Sequence, residues 1–154
     1  MISVIVSRVT EDGLFIEGEE PSSVMNIEPE SRIIPIRGLY YKIKVAMINN
    51  GILVTGSAHM SFKSLCDNCL AEFELKIANE NICHLYEKTD ACEIDLTEDV
   101  REDILISLPH RLLCKKNCKG LCFNCGQNLN LKKCSCPKQK NKDLVWEELN
   151  KLKL

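Results

Sequence analysis

The sequence has no apolar run that approaches the roughly 20 residues of a membrane-spanning helix. Its first twenty residues also lack the basic segment and following apolar stretch that make a secretory signal. We therefore predict a protein that neither crosses a membrane nor is exported, and we expect a cytoplasmic location. In that reducing compartment thiols stay free, so disulfides are not expected.

Catalytic motifs are missing as well. The chain has no glycine-rich phosphate loop, no nucleophile elbow and no His-Glu-x-x-His pair. Its acidic residues fall in predicted loops or on the exposed face of a predicted helix, where solvation is the default. The sequence predicts that the protein is not an enzyme.

Acidic residues are absent from one long segment. Residues 110–142 carry nine Lys or Arg and no Asp or Glu, whereas residues 1–109 carry nine basic and nineteen acidic residues. The net charge of −2 conceals this asymmetry. A basic segment on an acidic body predicts an anionic partner, or docking of the segment on its own body. Only Phe123 is aromatic in this segment, so there is no series of rings for stacking on bases.

Alternating apolar residues fill the first half of the chain and predict strands. Asp12-Gly13, between two such segments, favours a tight hairpin turn. A turn at Asn50-Gly51 and a turn at residues 66–69 would join long strands of an antiparallel meander. Residues 22–37 are predicted to be a loop with short extended pieces. The alternating segments are residues 2–9, 14–19, 40–48, 52–62, 73–77 and 82–87.

Helical spacing follows residue 95. Asp95 offers an N-cap acceptor, Val100 and Ile104 repeat at helical spacing, and Pro109 ends the run. The predicted fold class is α+β: an antiparallel β meander that can close like a barrel, one helix near 96–108, and a C-terminal cysteine knuckle. The predicted parts are a β-rich body over 1–109, a basic cysteine-rich metal knuckle over 110–142 and a short helix over 143–154.

Ten cysteines are far more than a chain of 154 residues usually has. Eight of them form close pairs with one to three residues between, and such turns aim two thiolates at one ion, about 2.3 Å from each sulfur. Four pairs suffice for two closed, structural zinc sites. We prefer one site from the last two pairs and a second site from the first two. The pairs are Cys66/Cys69, Cys114/Cys118, Cys122/Cys125 and Cys134/Cys136.

Several alternatives for the cysteines stay open. Cys66 and Cys69 can be an unmetallated or redox-active dithiol, although no βαβ pattern surrounds them. His110 can replace Cys114 as a ligand, and iron can replace zinc, because soft thiolates do not select between these metals. Cys83 and Cys92 lack a close partner and are interpreted as ordinary buried thiols.

The second half of the chain carries a series of specific motifs. They are Asp95-Leu96, Val100-Arg101-Glu102, Ile104-Leu105, Leu108-Pro109, Leu113-Cys114, Cys118 to Cys122, Cys125-Gly126, Leu129-Asn130 and Cys134-x-Cys136. Together with Cys66-x2-Cys69-Leu70 they closely resemble the YceD family, the large ribosomal RNA subunit accumulation proteins. The resemblance is strong over 65–136 and weaker in the strand-rich N-terminal part. It implies a role in synthesis, processing or stability of the large-subunit (23S) rRNA, with no known catalytic activity.

Four residues depart from the family's pattern. Asn68 stands where Arg is usual, Phe123 where Pro is common, and Leu144-Val145 precede Trp146 where Pro-Arg is frequent. The resemblance therefore implies no arginine contact with RNA at these positions of this chain.

The leading hypothesis is a non-catalytic, zinc-containing factor that binds rRNA or a large-subunit assembly intermediate, with a ribosomal protein or assembly factor as a further partner. Two alternatives remain: a protein-binding scaffold without RNA contact, and rubredoxin-like electron transfer at the last four cysteines, for which Cys134-x-Cys136 is a poor match. The candidates for phosphate contact are Lys115, Lys116, Lys119, Lys132 and Lys133.

Overall fold

The structure is a computed structural model that describes residues 1–10, 12–28, 31–49, 51–87 and 92–136. Within these ranges it has seven strands and one α-helix. None of the helices described there is long and apolar enough to cross a membrane. The elements are β1 (Ser3–Ile5), β2 (Leu14–Glu20), β3 (Ile33–Pro35), β4 (Leu39–Ile48), β5 (Gly51–Leu65), β6 (Glu72–Glu87), β7 (Glu93–Asp95) and α1 (Thr97–Ile106).

Five strands form an antiparallel sheet around the long strand β5. β6 pairs along one edge of β5, from Gly51 opposite Glu87 to Leu65 opposite Glu72. β4 and then β3 share the other edge, and β2 pairs with β4. The predicted meander of β4, β5 and β6 is therefore present. The predicted barrel-like closure is wrong, because β2 and β6 remain at opposite ends of the described sheet.

One face of the sheet is covered and holds the core. Alternation along the strands places Ile43, Val54 and Met60 on this face, where all three are buried. Helix α1 packs on β5 and β6 through Val100 and Ile104, which lie four residues apart and are also buried. The opposite face is largely solvent-exposed.

The predicted hairpin at Asp12-Gly13 does not form. The first strand pairs instead with β7, Ser3 opposite Asp95, in a separate two-stranded sheet. Gly13 does lie in a turn, with a φ of 92° and an N–H that donates to Thr10 O. The turn therefore does not join two paired strands, because the strand that pairs with β1 is β7, far along the chain.

Helix α1 begins and ends close to its predicted limits. The Thr97 N–H donates to Asp95 Oδ1 at 2.9 Å, which satisfies one of the free donors of the first turn. The helix ends at Ile106, shortly before Pro109. The helix predicted over 143–154 lies outside the described residues.

Two cysteine predictions need correction. Cys83 and Cys92 are exposed, not buried. Cys83 belongs to the uncovered face of β6, where alternation sends it away from the buried Ile82.

Candidate metal centres

The turn that joins β5 to β6 contains Cys66 and Cys69. The Cys66 N–H donates to Ala71 O, and the Leu70 N–H donates back to Cys66 O, both at 2.9 Å. Leu70 completes the turn with a φ of 56°, a left-handed conformation that is uncommon for a residue with a side chain. The two-residue gap thus folds the chain back so that both sulfurs lie on one side.

The same turn recurs at Cys122 and Cys125. The Cys122 N–H donates to Gln127 O, and the Gly126 N–H donates to Cys122 O, again at 2.9 Å. Gly126 has a φ of 69°, at the position that Leu70 takes in the first turn. The shared hydrogen bonds show that the Cys-x2-Cys spacing determines this local structure in two different surroundings.

The first turn belongs to a four-cysteine cluster that we call the inner site. Its thiols come from Cys66, Cys69, Cys114 and Cys118, and all four sulfurs lie within 4.8 Å of one another. The Cys66–Cys118 and Cys69–Cys114 sulfur pairs are each 3.7 Å apart. A tetrahedral ion with bonds of about 2.3 Å requires sulfurs about 3.8 Å apart, so the cluster fits zinc or iron. Cys66 and Cys69 are buried.

The second turn belongs to the outer site. Its four sulfurs, from Cys122, Cys125, Cys134 and Cys136, also lie within 4.8 Å of one another. The sulfurs of Cys134 and Cys122 are 3.4 Å apart, which an ion bound between them would widen slightly. Cys125 is exposed and the other three are half-buried. The two clusters are the same groups of four that the sequence analysis preferred.

Backbone amides point at one thiol of each turn. Burial by itself would raise the pKa of Cys66, but the N–H groups of Cys114, Asn68 and Cys69 lower it to about 6. In the outer site the N–H groups of Cys125 and Asn124 lower the pKa of Cys122 to about 6. Such amides also stabilise a metal-bound thiolate.

The pKa values of other thiols in the two clusters are raised instead of lowered. Burial raises the pKa of Cys114 to about 12, with neighbouring thiols adding to the effect. The hydrogen bond with Cys125 raises the pKa of Cys136 to about 12. Without an ion, four clustered thiols cannot all lose their protons, because the negative charges repel one another. A divalent cation removes that repulsion, so both donor sets suit one.

The inner site is attached to the body by Asp67, the residue after Cys66. The Asp67 N–H donates to Leu112 O, and the Leu112 N–H donates to Asp67 Oδ2, both at 2.7 Å. The other carboxylate oxygen of Asp67 accepts a hydrogen bond from Arg32 at 2.7 Å. These contacts fix the chain just before Cys114, so they bring the second pair of ligands to the first.

Asn68 and Asn130 join the two sites. The Asn68 carbonyl accepts the Leu121 N–H at 3.1 Å, immediately before Cys122. Asn130 belongs to the loop of the outer site, yet its amide nitrogen lies 3.3 Å from the sulfur of Cys118 in the inner site. Its oxygen accepts the Lys119 N–H at 3.0 Å. Asn130 therefore acts on a ligand of one site from the loop of the other.

The five candidate lysines are all exposed, in three short runs at 115–116, 119 and 132–133. His110 is exposed and belongs to neither cluster of possible ligands found in the described residues.

Sequence reasoning did not assign roles to Asp67, Asn68 and Asn130. Their positions next to cysteines, or in the loop between two cysteine pairs, could have indicated them. Asn130 also belongs to the Leu129-Asn130 motif of the resemblance, and Asn68 is one of the departures from it.

Comparisons with known proteins show that the second half of the chain is similar in sequence to a known family. Residues 83–153 match the sequence model of the family described as large ribosomal RNA subunit accumulation protein YceD. Two chloroplastic proteins named large ribosomal RNA subunit accumulation protein YCED homolog 1 also match. The one from Arabidopsis thaliana is 34% identical over 61 residues, and the one from Zea mays is 42% identical over 45 residues.

These matches are partial. They cover 40% and 29% of this chain, and the chain spans only 19% and 15% of the two relatives. No solved structure matches the chain. Cys66 and Cys69 lie upstream of the segment that the family model matches, so their place in the family's pattern stays a prediction. The resemblance to the YceD family is confirmed, and the family model carries it over residues 83–153.

Proposed function

We propose that this protein is a non-catalytic factor in the synthesis, processing or stability of large-subunit (23S) rRNA. It binds rRNA or an assembly intermediate through residues 110–136, which we call the basic module. One observation carries the proposal: the module exposes five lysines, contains no acidic residue and is folded around two clusters of cysteines. The match to a family named for accumulation of this RNA supports it.

Zinc is the proposed ion in both sites. Four thiolates close the coordination sphere and leave no position for water or a substrate, which suits a structural role. The ions would hold the module together, since it has few buried apolar side chains of its own. Metal per chain, measured by native mass spectrometry with elemental analysis, should be two zinc ions. Iron in their place would favour electron transfer.

The charges of the module are arranged to meet phosphates. A zinc ion with four thiolates carries a formal charge of −2, but the inner-site thiolates of Cys66 and Cys69 are buried. The lysines point into solvent, where they can reach an RNA backbone. The body has the opposite charge, so it would repel the same RNA and leave the module as the contact surface.

The proposed place of action is the cytoplasm. Eight of the ten cysteines fall in the two clusters, and a reducing compartment keeps such thiols available to bind a metal. A ribosomal protein or another assembly factor is a further proposed partner, and the acidic body is the surface that remains for it.

Replacement of the five lysines tests the proposal. The variant Lys115→Ala/Lys116→Ala/Lys119→Ala/Lys132→Ala/Lys133→Ala should bind a 23S rRNA fragment more weakly, and its affinity should depend less on salt. With single-stranded RNA, the slope of log affinity against log salt is negative, and its magnitude should decrease by roughly 3 to 4. This is about 0.7 for each phosphate that a lysine no longer neutralises. Fluorescence anisotropy over a salt series measures both quantities.

The matched control removes lysines from the body instead. The variant Lys42→Ala/Lys44→Ala/Lys63→Ala/Lys76→Ala lowers the net charge by a similar amount and should keep most of the affinity and slope. If the module variant binds as tightly as the unaltered protein, the RNA proposal is wrong. A partner protein that is retained after ribonuclease treatment would then favour the scaffold.

A further inference from the structure

Phe123 is the most exposed large apolar side chain in the described residues. Its relative exposure is 105%, which means that the ring touches almost nothing in the fold. A phenyl ring in water forgoes the stabilisation that burial would give, roughly 1.5–3 kcal/mol for a side chain of this size. Single exposed apolar side chains are common on protein surfaces, so the case for a partner at Phe123 rests on the surroundings of the ring together with its exposure.

The backbone beneath the ring is held firmly. Phe123 lies between Cys122 and Cys125, whose sulfurs belong to the outer site. The hydrogen bonds of Cys122 with Gly126 and Gln127 close the same turn. A ring on a fixed turn loses little conformational freedom when a partner stacks on it, so its contact free energy is largely retained.

Two exposed lysines directly precede a cysteine whose sulfur meets this turn. Lys132 and Lys133 directly precede Cys134, and the Cys134 sulfur is 3.4 Å from that of Cys122, directly before Phe123. Lysine is depleted in protein–protein interfaces, so a ring beside lysines is poorly suited to a protein partner. An aromatic ring beside cations is instead the combination that binds single-stranded nucleic acid, by stacking on a base while lysines contact the phosphates.

We infer that Phe123 stacks on an unpaired base, so the basic module recognises single-stranded or looped RNA and not a continuous duplex. In an A-form duplex both faces of each base are covered by its neighbours, whereas loops and bulges present bases that can be splayed out. This inference rests on the proposed function, which requires only that the module bind RNA. It adds the class of RNA and the residue that selects it.

The test compares two RNA probes of matched length with zinc-loaded, full-length protein. One probe is a hairpin with a loop of about eight adenosines, and the other is a blunt duplex without unpaired bases. Phe123→Ala should weaken hairpin binding by roughly 5- to 150-fold, the range for loss of one stacked base. Its affinity for the duplex should change less than about twofold, because the lysines remain.

Matched variants separate stacking from general effects. Phe15→Ala removes another exposed ring, 73% exposed on the sheet, and should leave both affinities unchanged. Phe123→Trp should keep hairpin binding, while Phe123→Leu, apolar but not aromatic, should lose it. With 2-aminopurine in the loop, the unaltered protein and Phe123→Trp should change its fluorescence, and Phe123→Ala should not.

Failure of this inference and failure of the proposed function give different results. If Phe123→Ala binds the hairpin as well as the unaltered protein while the five-lysine variant does not, the stacking inference is overturned and RNA binding stands. Equal losses for hairpin and duplex also overturn it. If the five-lysine variant keeps full affinity for both probes, the proposed function itself fails.

Discussion

The inner and outer sites contain the same cysteine turn but differ in what they connect. The inner site joins residues that lie far apart in the sequence, since Cys118 comes 52 positions after Cys66 and Cys114 comes 45 positions after Cys69. The outer site is local, since Cys134 comes only 12 positions after Cys122. Two ligands of the inner site are buried, whereas all four of the outer site are at least partly exposed.

This difference separates two structural roles. An ion in the inner site would connect the tip of β5 and β6 to the segment after α1, which closes a long loop and stabilises the body. An ion in the outer site would order a short exposed loop and position Phe123 and the lysines. Damage to the inner site should therefore affect stability, and damage to the outer site should affect binding.

Removal of one ligand from each site should give the largest contrast. Cys66→Ser should lower the free energy of unfolding of the body by about 4 kcal/mol or more, because a buried metal ligand is removed. Cys125→Ser, at the exposed position of the outer site, should lower it by about 1 kcal/mol or less. Urea unfolding followed by far-ultraviolet circular dichroism measures both values on zinc-loaded protein.

Metal content and RNA affinity complete this comparison. Each variant should keep one zinc ion, and only Cys125→Ser should remain well folded while it loses RNA affinity. Cys83→Ser, an exposed cysteine outside both clusters, is the control and should behave as the unaltered protein. Equal destabilisation by Cys66→Ser and Cys125→Ser would contradict the division of roles.

A smaller effect should come from Asn130, the residue that connects the sites. Asn130→Ala removes the amide that donates to the Cys118 sulfur and the oxygen that accepts the Lys119 N–H. Zinc affinity at the inner site should fall roughly 10- to 100-fold, the usual cost of losing a group that supports a ligand. Competition with a chromophoric chelator measures this change in affinity.

Asn130→Asp provides the matched control, since it keeps the acceptor for Lys119 but replaces the donor to sulfur by a carboxylate. It should weaken zinc binding at least as much as Asn130→Ala. A variant Asn130→Asp with unaltered affinity would show that the hydrogen bond to sulfur contributes nothing.

The cysteine pairs could be predicted because each depends on local spacing, which aims both thiols of a pair to one side. The outer site could be predicted because its two pairs lie close together in the sequence, and the inner site then followed from the two pairs that remained. The meander could be predicted for the same reason, since strand alternation and the Asn50-Gly51 dipeptide are local signals. The partner of β1 could not, because its pairing with Glu93–Asp95 leaves no mark in either segment. The exposure of Cys83 could not be predicted either. It depends on which face of β6 the helix α1 covers, and the sequence of β6 alone does not indicate that face.

Asn130 was missed for a related reason. Its contact with Cys118 requires both sites to be folded, and an Asn in a polar loop is interpreted by default as a turn residue. The joining of the two sites is therefore a tertiary property, whereas each Cys-x2-Cys turn is a property of its own few residues.

The smallest predicted effect compares the residue after each turn. Leu70 and Gly126 have nearly the same positive φ, 56° and 69°. For a residue with a side chain this conformation destabilises the fold by about 1–2 kcal/mol. Part of that difference is offset, because glycine loses more backbone entropy on folding than any other residue. Leu70→Gly should raise the free energy of unfolding by about 0.5–1 kcal/mol, since the Leu70 side chain is 63% exposed and packs little.

Gly126→Ala should weaken zinc binding at the outer site by a similar free energy, because an added Cβ meets nothing within 4 Å and only the backbone strain remains. Urea unfolding and chelator competition measure the two changes, and a lower stability of Leu70→Gly would mean that the leucine side chain supports the inner site.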